Sequence, residues 1–297
     1  MISIIICSRD KEALRKVSHN VEQTIGVAYE IIAIDNSKGE YGICQAYNTG
    51  AQQSKFDIFC FLHEDIKFIS KDWGILLINH MEALPKAGVI GLAGSTFKTT
   101  MLSSWWQPNV NGVEPKRVNL IQNFKFTSNE SERLWINPLN EKASNVACLD
   151  GVLLFTNKKI WLTNKFDQNL LKGFHGYDLD FTLRVGRTLR NYVVFDVVLE
   201  HFSEGVNNVD WVLQNYLVHE KHINYLPVIK DDSIINVSLR WVDRSHLEQA
   251  IKVLSNFYNR KKKIFILLKL VYYSRLFKPN IKFIKTIFKT VLFRNSN

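Results

Sequence analysis

Short apolar runs alternate with helix-like stretches along the first part of the chain. The apolar runs are residues 3–7, 30–35, 57–62 and 87–94. They are rich in β-branched side chains and lack polar alternation, which is typical of strands buried on both faces of a sheet. The helix-like stretches between them follow Ser8 and cover residues 41–54 and 72–84. The alternation predicts an α/β fold, in which a mostly parallel sheet is covered by helices on both faces.

The pattern changes at residue 97. Residues 97–147 are polar, rich in Asn and Ser, and interrupted by Pro108, Pro115 and Pro138. We expect a long loop with a hairpin here, and loops of this length in compact domains are usually lids or binding segments. Beyond the loop, strands are predicted at 149–155 and 192–200, and helices at 177–188 and 208–225.

The C-terminal segment differs in charge from the rest of the chain. The 297 residues carry a net charge of +10, but the last acidic residue is Glu248, and twelve of the 38 basic residues follow it. The first 248 residues therefore hold 26 basic and 28 acidic side chains, so the positive charge belongs to the tail and not to the fold. The basic residues of the tail are Lys252, Arg260, Lys261, Lys262, Lys263, Lys269, Arg275, Lys278, Lys282, Lys285, Lys289 and Arg294.

This tail is predicted to be helical from about residue 243, and its last part has the pattern of a basic amphipathic helix. Lysines recur at helical spacing from Lys278 to Lys289, and apolar residues from Ile281 to Leu292 occupy another face. An anionic membrane surface is the partner that suits this pattern best. Packing on the body with a solvated lysine face is the alternative. No nucleic-acid motif accompanies the charge, so we expect no nucleic-acid partner.

Cysteine usage and hydropathy bear on the compartment. The four cysteines are Cys7, Cys44, Cys60 and Cys148, with no CxxC pair, which predicts reduced thiols and no disulfide framework. The first apolar run is too short for a secretory signal, and no stretch reaches the roughly 20 apolar residues that span a bilayer. We expect a cytoplasmic protein that lies peripherally on the inner face of the cell membrane.

Acidic and histidine side chains end several predicted strands. Asp35 ends the second strand, Glu64 and Asp65 follow the third, and His201 follows the last. Parallel strands place their carboxyl ends at one edge of a sheet, so we expect these side chains to converge there. A nucleotide diphosphate needs a divalent cation, and oxygen ligands suit Mg²⁺ or Mn²⁺. For each carboxylate taken alone, the alternative is a solvated strand end.

Further candidates lie later in the chain. In GFHGYDLDFTLR (173–184), Asp178 could be a general base with a raised pKa, or it could cap the helix that begins here. Trp105 and Trp106 in the long loop could stack on a sugar or anchor the loop to the body. Asp150, at the start of a predicted strand, could bind a sugar hydroxyl or shape a turn. Spacing alone does not decide between these alternatives.

Six short motifs occur in a definite order along roughly residues 1–225. They are ICSRD (6–10), IDNS (34–37), GICQAYNTGAQQSKFDIFCFLHEDI (42–66), LDG (149–151), GYDLDF (176–181) and EHFSEG (200–205). Together they resemble family 2 glycosyltransferases of the GT-A fold. The closest resemblance is to the branch of streptomycin-biosynthesis-type glycosyltransferase-like domains. On this basis we divide the chain into a GT-A domain, residues 1–226, and a basic helical tail, residues 227–297.

The resemblance implies a hexosyltransferase-like enzyme that uses a nucleotide-sugar donor, with a UDP-sugar favoured, and inverts the sugar in one displacement. Its acceptor would be a saccharide or a lipid-linked molecule in surface polysaccharide synthesis. Asp178 matches the catalytic base, and Asp65 and His201 match ligands of a divalent cation, Mn²⁺ or Mg²⁺. The nucleotide-sugar contacts it implies are Ser8, Arg9, Asp35, His63 and Glu64. The candidate sugar or acceptor contacts are Trp105, Trp106, Asp150 and Asp180.

Two positions depart from the family pattern. His63 stands where the metal-binding DxD motif has its first Asp, and Tyr177 stands before Asp178 where the family usually has Glu. Imidazole binds Mg²⁺ poorly, so either His63 bonds a ribose or phosphate, or the cation is Mn²⁺. The departures leave a metal-independent enzyme and a catalytically inactive sugar- or nucleotide-binding module as alternatives. An active transferase is our prediction, because Asp65, Asp178 and His201 are all present.

Overall fold

The computed structural model describes residues 1–125, 127, 129–203, 205, 207–234, 240–255, 264–266 and 268–269. Its helices are α1 (Lys11–Thr24), α2 (Ile43–Gln53), α3 (Trp73–Ala83), α4 (Lys158–Thr163), α5 (Tyr177–Val185), α6 (Val209–His222) and α7 (Arg240–Ser255). Its strands are β1 (Ile2–Ser8), β2 (Tyr29–Asp35), β3 (Ile58–Leu62), β4 (Ile66–Phe68), β5 (Ala87–Gly91), β6 (Ala93–Ser95), β7 (Phe97–Lys98), β8 (Lys116–Gln122), β9 (Glu132–Ile136), β10 (Ala143–Val146), β11 (Cys148–Leu149), β12 (Leu153–Asn157), β13 (Arg190–Val194), β14 (Leu199–His201) and β15 (Val228–Ile229).

A seven-stranded sheet forms the centre of the described chain, in the order β10-β13-β5-β12-β3-β1-β2. β1 pairs in parallel with β2 and β3, and β13 pairs in parallel with β5, whereas β12 and β10 run antiparallel to their neighbours. Ile4 and Ile6 belong to one buried cluster and Ile5 to another, so β1 is buried on both faces. The predicted α/β class is confirmed, and α2, α3, α5 and α6 correspond to predicted helices. The central sheet is mixed and not mostly parallel, because three of its six strand pairings are parallel and three are antiparallel.

The register of the sheet brings the carboxyl ends of three strands together. Ser8 lies opposite Asp35 in the β1–β2 pair, and Ile6 lies opposite Leu62 in the β1–β3 pair. The residues that follow β3 therefore lie beside the turn from β1 to α1. This edge is where open α/β sheets bind ligands.

The N-terminus of α1 is capped by a residue that the sequence pattern did not single out. The Asp10 carboxylate accepts the backbone N–H groups of Glu12 and Ala13 at 2.8 and 3.2 Å. Ser8 is also a residue type that caps helices, but its hydroxyl donates to Glu64 at 2.8 Å instead. The Ser8 hydroxyl therefore bonds a side chain at the edge of the sheet and not the N-terminus of the helix.

Residues 97–147 contain more regular structure than the sequence predicted. The predicted hairpin is confirmed as β8 and β9, but β7 and β10 also lie in this segment, where we expected only loop. The position of β8 within this segment was not predictable, because its polar side chains are buried and paired with groups far along the chain. The Asn119 amide donates to the carbonyl of Val197 at 2.7 Å, and the Arg117 guanidinium meets Asp231 at 3.3 Å.

The single strand expected at 192–200 is two strands in different sheets. β13 belongs to the central sheet, whereas β14 lies in a second sheet of order β11-β6-β8-β14-β4. β14 runs antiparallel to β4, and His201 lies opposite Ile66 in that pair. His201 therefore does not end a parallel strand of the central sheet, and a different pairing brings it to the edge.

The segment after residue 226 is joined to the body where it is described. β15 pairs with β7, and α7 packs on α6 through an apolar cluster that includes Leu247, Leu254, Trp211 and Val212. The predicted amphipathic helix near 278–292 lies outside the described residues. Among the helices that are described, none has the length and apolar character needed to cross a bilayer.

Candidate functional site

Three side chains with metal-binding atoms meet beyond the end of β3. His63, Asp65 and His201 each offer one ligand atom, and these atoms lie within 4.8 Å of one another. Asp65 Oδ1 is 3.8 Å from His63 Nδ1 and 3.7 Å from His201 Nε2. The predicted pair Asp65 and His201 is thus brought together, and His63 joins it.

The backbone explains how residues so distant in sequence meet here. His63 follows β3 directly, and its backbone N–H donates to the carbonyl of Val152 at 3.3 Å. The antiparallel pairing of β14 with β4 then carries His201 to Asp65, since the N–H of Phe202 donates to the carbonyl of Asp65 at 2.9 Å. Both halves of the cluster are therefore fixed by backbone hydrogen bonds.

A second layer of hydrogen bonds orients Asp65 and His201. The Ser203 hydroxyl donates to Asp65 Oδ2, and His201 Nδ1 lies 3.3 Å from Gln122 Oε1. The Gln122 amide nitrogen donates to the carbonyls of Asn123 and Ser203, which leaves its oxygen to accept from His201 Nδ1–H. Nε2 of His201 is then the nitrogen turned toward Asp65, as a metal ligand would be.

Electrostatics keep Asp65 ionised. Burial raises the pKa of Asp65, but His63, His201 and the Ser203 hydroxyl together lower it below its usual value. Two imidazole nitrogens and one carboxylate oxygen form a donor set that fits a divalent cation. Imidazole favours Mn²⁺ over Mg²⁺ among the two predicted ions.

Tyr177 completes the surroundings of His63 and was not predicted as a site residue. Its hydroxyl lies 2.7 Å from His63 Nε2 and donates to the carbonyl of Gly151 at 3.2 Å. One signal was present in the sequence, a Tyr before Asp178 where the family that the chain resembles usually has Glu. That signal did not indicate a contact between Tyr177 and His63.

Glu64 organises the turn after β1. Its carboxylate accepts the Ser8 hydroxyl at 2.8 Å and the backbone N–H groups of Arg9 and Asp10 at 3.0 and 3.2 Å. Asp35, opposite Ser8, is exposed, and Ser37 lowers its pKa below the usual value. The structure therefore gathers Ser8, Arg9, Asp35 and Glu64 at one edge, with Glu64 bound to the turn and outside the metal-type cluster.

Asp178 lies in the first turn of α5, immediately after Tyr177. It does not cap the helix, because Gly176 is the N-cap residue, and Asp178 Oδ1 accepts the N–H of its neighbour Leu179 at 2.9 Å. Burial and the nearby Asp150 carboxylate raise the pKa of Asp178 to about 7. A carboxylate with this pKa can accept a proton near neutral pH, as a general base must.

Asp150 and the two tryptophans occupy one region. Asp150 accepts the Trp105 indole N–H and, at 2.8 Å, the N–H of Val152. Trp105 also packs against the core, which supports the anchoring alternative for this residue. Trp106 is 43% exposed, with the Lys116 ammonium 4.8 Å from its ring centre. Of the two tryptophans, Trp106 is the more exposed to solvent.

Asp180 serves a different purpose from the predicted sugar contact. It is fully buried and accepts from His222 Nε2 at 2.9 Å, from Arg184 Nε at 3.0 Å and from Lys221 Nζ at 2.7 Å. These groups hold the pKa of Asp180 well below its usual range, although burial alone would raise it. With its oxygens occupied between α5 and α6, the prediction of a sugar contact is corrected to a structural ion pair.

Comparison with known proteins places the chain among sugar-transferring proteins. A model of the family described as "glycosyltransferase like family" matches residues 3–225. No curated protein matches the chain. The chain is similar to the crystal structure of GalNAc-T7 with UDP, GalNAc and Mn²⁺, with 13% identity and a TM-score of 0.47, covering 70% of this chain and 44% of that one. It is also similar to the crystal structure of A197 from STIV, with 15% identity and a TM-score of 0.37, covering 68% and 86% of the two chains. The chain therefore spans less than half the length of the first structure.

Proposed function

We propose that this chain, which belongs to the glycosyltransferase-like family, transfers a sugar from a nucleotide-sugar donor to a saccharide or lipid-linked acceptor. Its fold is the GT-A type expected from the sequence, with a central sheet whose carboxyl edge holds the candidate site. Membership of the streptomycin-biosynthesis-type branch stays a prediction.

The observation that carries the proposal is that Asp178 is linked to the metal-type cluster through its neighbour Tyr177. Asp178 follows Tyr177 in α5, and the Tyr177 hydroxyl lies 2.7 Å from His63 Nε2. One turn of α5 thus holds a carboxylate whose pKa is raised to about 7 and a side chain that contacts a set of ligands suited to a cation–diphosphate complex. Sugar transfer needs both groups, a base for the acceptor and a site for the leaving diphosphate.

In the proposed reaction, the deprotonated Asp178 takes the proton of an acceptor hydroxyl as that oxygen attacks the anomeric carbon of the donor. The bond from that carbon to the diphosphate breaks on the opposite side, so a single displacement inverts the configuration. His63, Asp65 and His201 would hold a divalent cation, and this ion would neutralise the charge that develops on the leaving diphosphate. Asp150 keeps Asp178 basic by raising its pKa.

Recognition of the donor is proposed for the neighbouring turns. The Glu64 carboxylate fixes the backbone of Arg9 and Asp10, and exposed Asp35 lies opposite Ser8 across the same edge. We assign Asp35 to the nucleoside, with a UDP-sugar as the favoured donor. Support for this assignment comes from the position of Asp35 in the IDNS motif and from its exposure at the site edge.

Nucleotide binding tests the proposal directly. Thermal unfolding of the full chain would be followed with UDP, GDP, CDP and TDP, each with and without Mn²⁺, beside an Asp65→Ala variant. A ligand at a hundred times its dissociation constant stabilises by about 2.7 kcal/mol, which is a shift of several degrees. We expect one nucleotide to shift the wild type with Mn²⁺ and to leave Asp65→Ala unchanged. No shift with any nucleotide would contradict the proposal.

Surface polysaccharide or glycolipid synthesis at the inner membrane face is the cellular setting that we propose. Its support is the net charge of the C-terminal tail, in which twelve basic residues follow the last acidic one. Replacing Lys278, Lys282, Lys285 and Lys289 by Gln in the full chain should weaken sedimentation with anionic vesicles. Vesicles of neutral lipid are the control, and equal sedimentation of both proteins with anionic vesicles would count against membrane attachment.

A further inference from the structure

His63 and Tyr177, the two residues at which the chain departs from the pattern of its family, are in direct contact. The Tyr177 hydroxyl lies 2.7 Å from His63 Nε2, although 114 positions separate the two residues. Tyr177 is buried among aromatic rings, where a hydroxyl needs hydrogen-bond partners. The effect of this contact on His63 is to favour one position of the proton on its imidazole ring.

Hydrogen-bond directions determine which nitrogen of His63 carries the proton. The Tyr177 hydroxyl has one proton and two contacts, the Gly151 carbonyl at 3.2 Å, which can only accept, and His63 Nε2 at 2.7 Å, which donates in one of its tautomers. Both contacts are hydrogen bonds only when the Tyr177 proton is donated to Gly151. The Tyr177 oxygen then accepts from His63 Nε2–H. The remaining nitrogen of His63, Nδ1, is left with a lone pair, and it is the nitrogen that lies 3.8 Å from Asp65 Oδ1.

The position of the Tyr177 hydroxyl is closely determined by its surroundings. A Cβ atom on residue 151 would lie 1.9 Å from this oxygen, so only glycine leaves room for it. The Tyr177 ring packs edge-on against Tyr47 at a centroid distance of 5.7 Å, and Phe166 lies 6.2 Å away. Gly176 begins α5 with a φ of 78°, in the left-handed region that favours glycine.

We propose that Tyr177 is a positioning residue, which holds His63 in the tautomer that presents Nδ1 to a bound cation and so makes the site select Mn²⁺ over Mg²⁺. The inference deepens the proposed function, since it rests on a cation at His63, Asp65 and His201. Metal-bound histidines are commonly fixed through their second nitrogen in this way, and imidazole is a poorer ligand for Mg²⁺ than for transition ions. A carboxylate at position 177 could not both donate to Gly151 and accept from His63 when ionised.

Binding of Mn²⁺ alone, without nucleotide, tests this role in the full chain. Free Mn²⁺ would be titrated by electron paramagnetic resonance for the wild type and for Tyr177→Phe, with Mg²⁺ as a competitor. We expect Tyr177→Phe to weaken Mn²⁺ binding about 10- to 100-fold and to reduce the preference over Mg²⁺. The matched control is Tyr192→Phe, which removes another buried hydroxyl, bonded to the carbonyl of Pro85 at 3.1 Å, and should retain wild-type affinity.

A double-mutant cycle separates the proposed role from a general disturbance of the fold. In a His63→Gln background, Tyr177→Phe should have no further effect on Mn²⁺ affinity, because its only route to the cation is then gone. An equal loss in both backgrounds, an unchanged affinity of Tyr177→Phe, or no Mn²⁺ binding by the wild type would overturn the inference. Intact and Tyr177-dependent Mn²⁺ binding without any sugar transfer would instead count against the proposed function alone.

Discussion

Asp178 and Asp180 lie two residues apart in the first turn of α5, yet the structure gives them opposite properties. Asp178 lies near the Asp150 carboxylate, and burial together with this charge raises the pKa of Asp178 to about 7. Asp180 faces α6, where Lys221, His222 and Arg184 surround it and lower its pKa. Residues at positions i and i+2 of a helix point in different directions, so one turn serves two separate regions.

The difference shows that the neighbours of a buried carboxylate decide its role. At Asp178, burial and a second acidic group disfavour the ionised form and leave a carboxylate that can accept a proton near neutral pH. At the interface of α5 and α6, cationic and N–H donors satisfy the charge, and the carboxylate becomes part of the packing. Each of the following experiments changes Asp178, Asp180 or the surroundings that determine their charge.

Replacing Asp178 by Asn should have the largest effect on activity. A general base contributes about 10²–10⁴-fold to the rate, so kcat of Asp178→Asn should fall by that factor while nucleotide binding persists. Stability should not fall with it. Because the folded-state pKa is raised, ionisation of Asp178 costs stability as the pH rises toward 7, and Asn removes this cost.

Assays of sugar transfer and of thermal unfolding at about pH 8, made on the same samples, distinguish these outcomes. We expect a nearly inactive Asp178→Asn enzyme with an unchanged or higher melting temperature. Retention of full transfer activity would remove Asp178 from the mechanism. A lower melting temperature would show that Asp178 has a packing role like that of Asp180.

Replacing Asp180 by Asn should give the converse result. Removing one partner of a buried ion network leaves the others uncompensated, which costs about 3–5 kcal/mol in the free energy of unfolding. The protein that stays folded should transfer sugar at a wild-type rate per folded molecule. Denaturant unfolding measures the loss. The matched control is Asp167→Asn, which breaks only the 2.8 Å pair with Lys221 at a partly exposed position, at a cost below about 1 kcal/mol.

The pH dependence of the two carboxylates should also differ in sign. Transfer by the wild type should rise with pH through about 7, as Asp178 loses its proton, and fall about tenfold per unit below that pH. The lowered pKa of Asp180 contributes stability that is present above the usual range for Asp and is lost as the pH falls below it. Activity measured from pH 3 to about 9 should therefore change near pH 7. The part of the unfolding free energy that Asp180 contributes should change at lower pH, and comparison with Asp180→Asn isolates that part.

Sequence patterns predicted those parts of the fold that depend on local apolar runs. β1, β2, β3 and β5 lie where such runs occur, because a strand buried on both faces has few polar residues. A hairpin was predicted within residues 97–147, but the position of β8 was not, because its buried polar side chains bond to residues far along the chain. One strand was predicted at 192–200 where β13 and β14 lie in different sheets, because the local sequence does not show where the chain passes from one sheet to another.

The candidate site was predictable only as far as motif order could identify residue types. Motif order singled out Asp65, His201 and Asp178, and the structure brings the first two together. The contact of Tyr177 with His63 depends on how β12 pairs with β3 and on where α5 begins, and neither can be inferred from spacing. The role of Asp180 was misjudged for the same reason, since its partners Lys221 and His222 come from α6.

Asp150→Asn should have the smallest effect, and it tests the cause of the contrast. The substitution removes the charge that helps raise the pKa of Asp178 and keeps an amide oxygen able to accept from Val152 N–H, although the Trp105 indole N–H loses its carboxylate acceptor. Asp178 should then ionise at lower pH, so the acidic limb of the transfer profile should move to lower pH. Because a less basic carboxylate is a weaker proton acceptor, the plateau rate should fall slightly. An unmoved acidic limb would mean that burial alone sets the pKa of Asp178, and the difference from Asp180 would then come from the partners of Asp180 only.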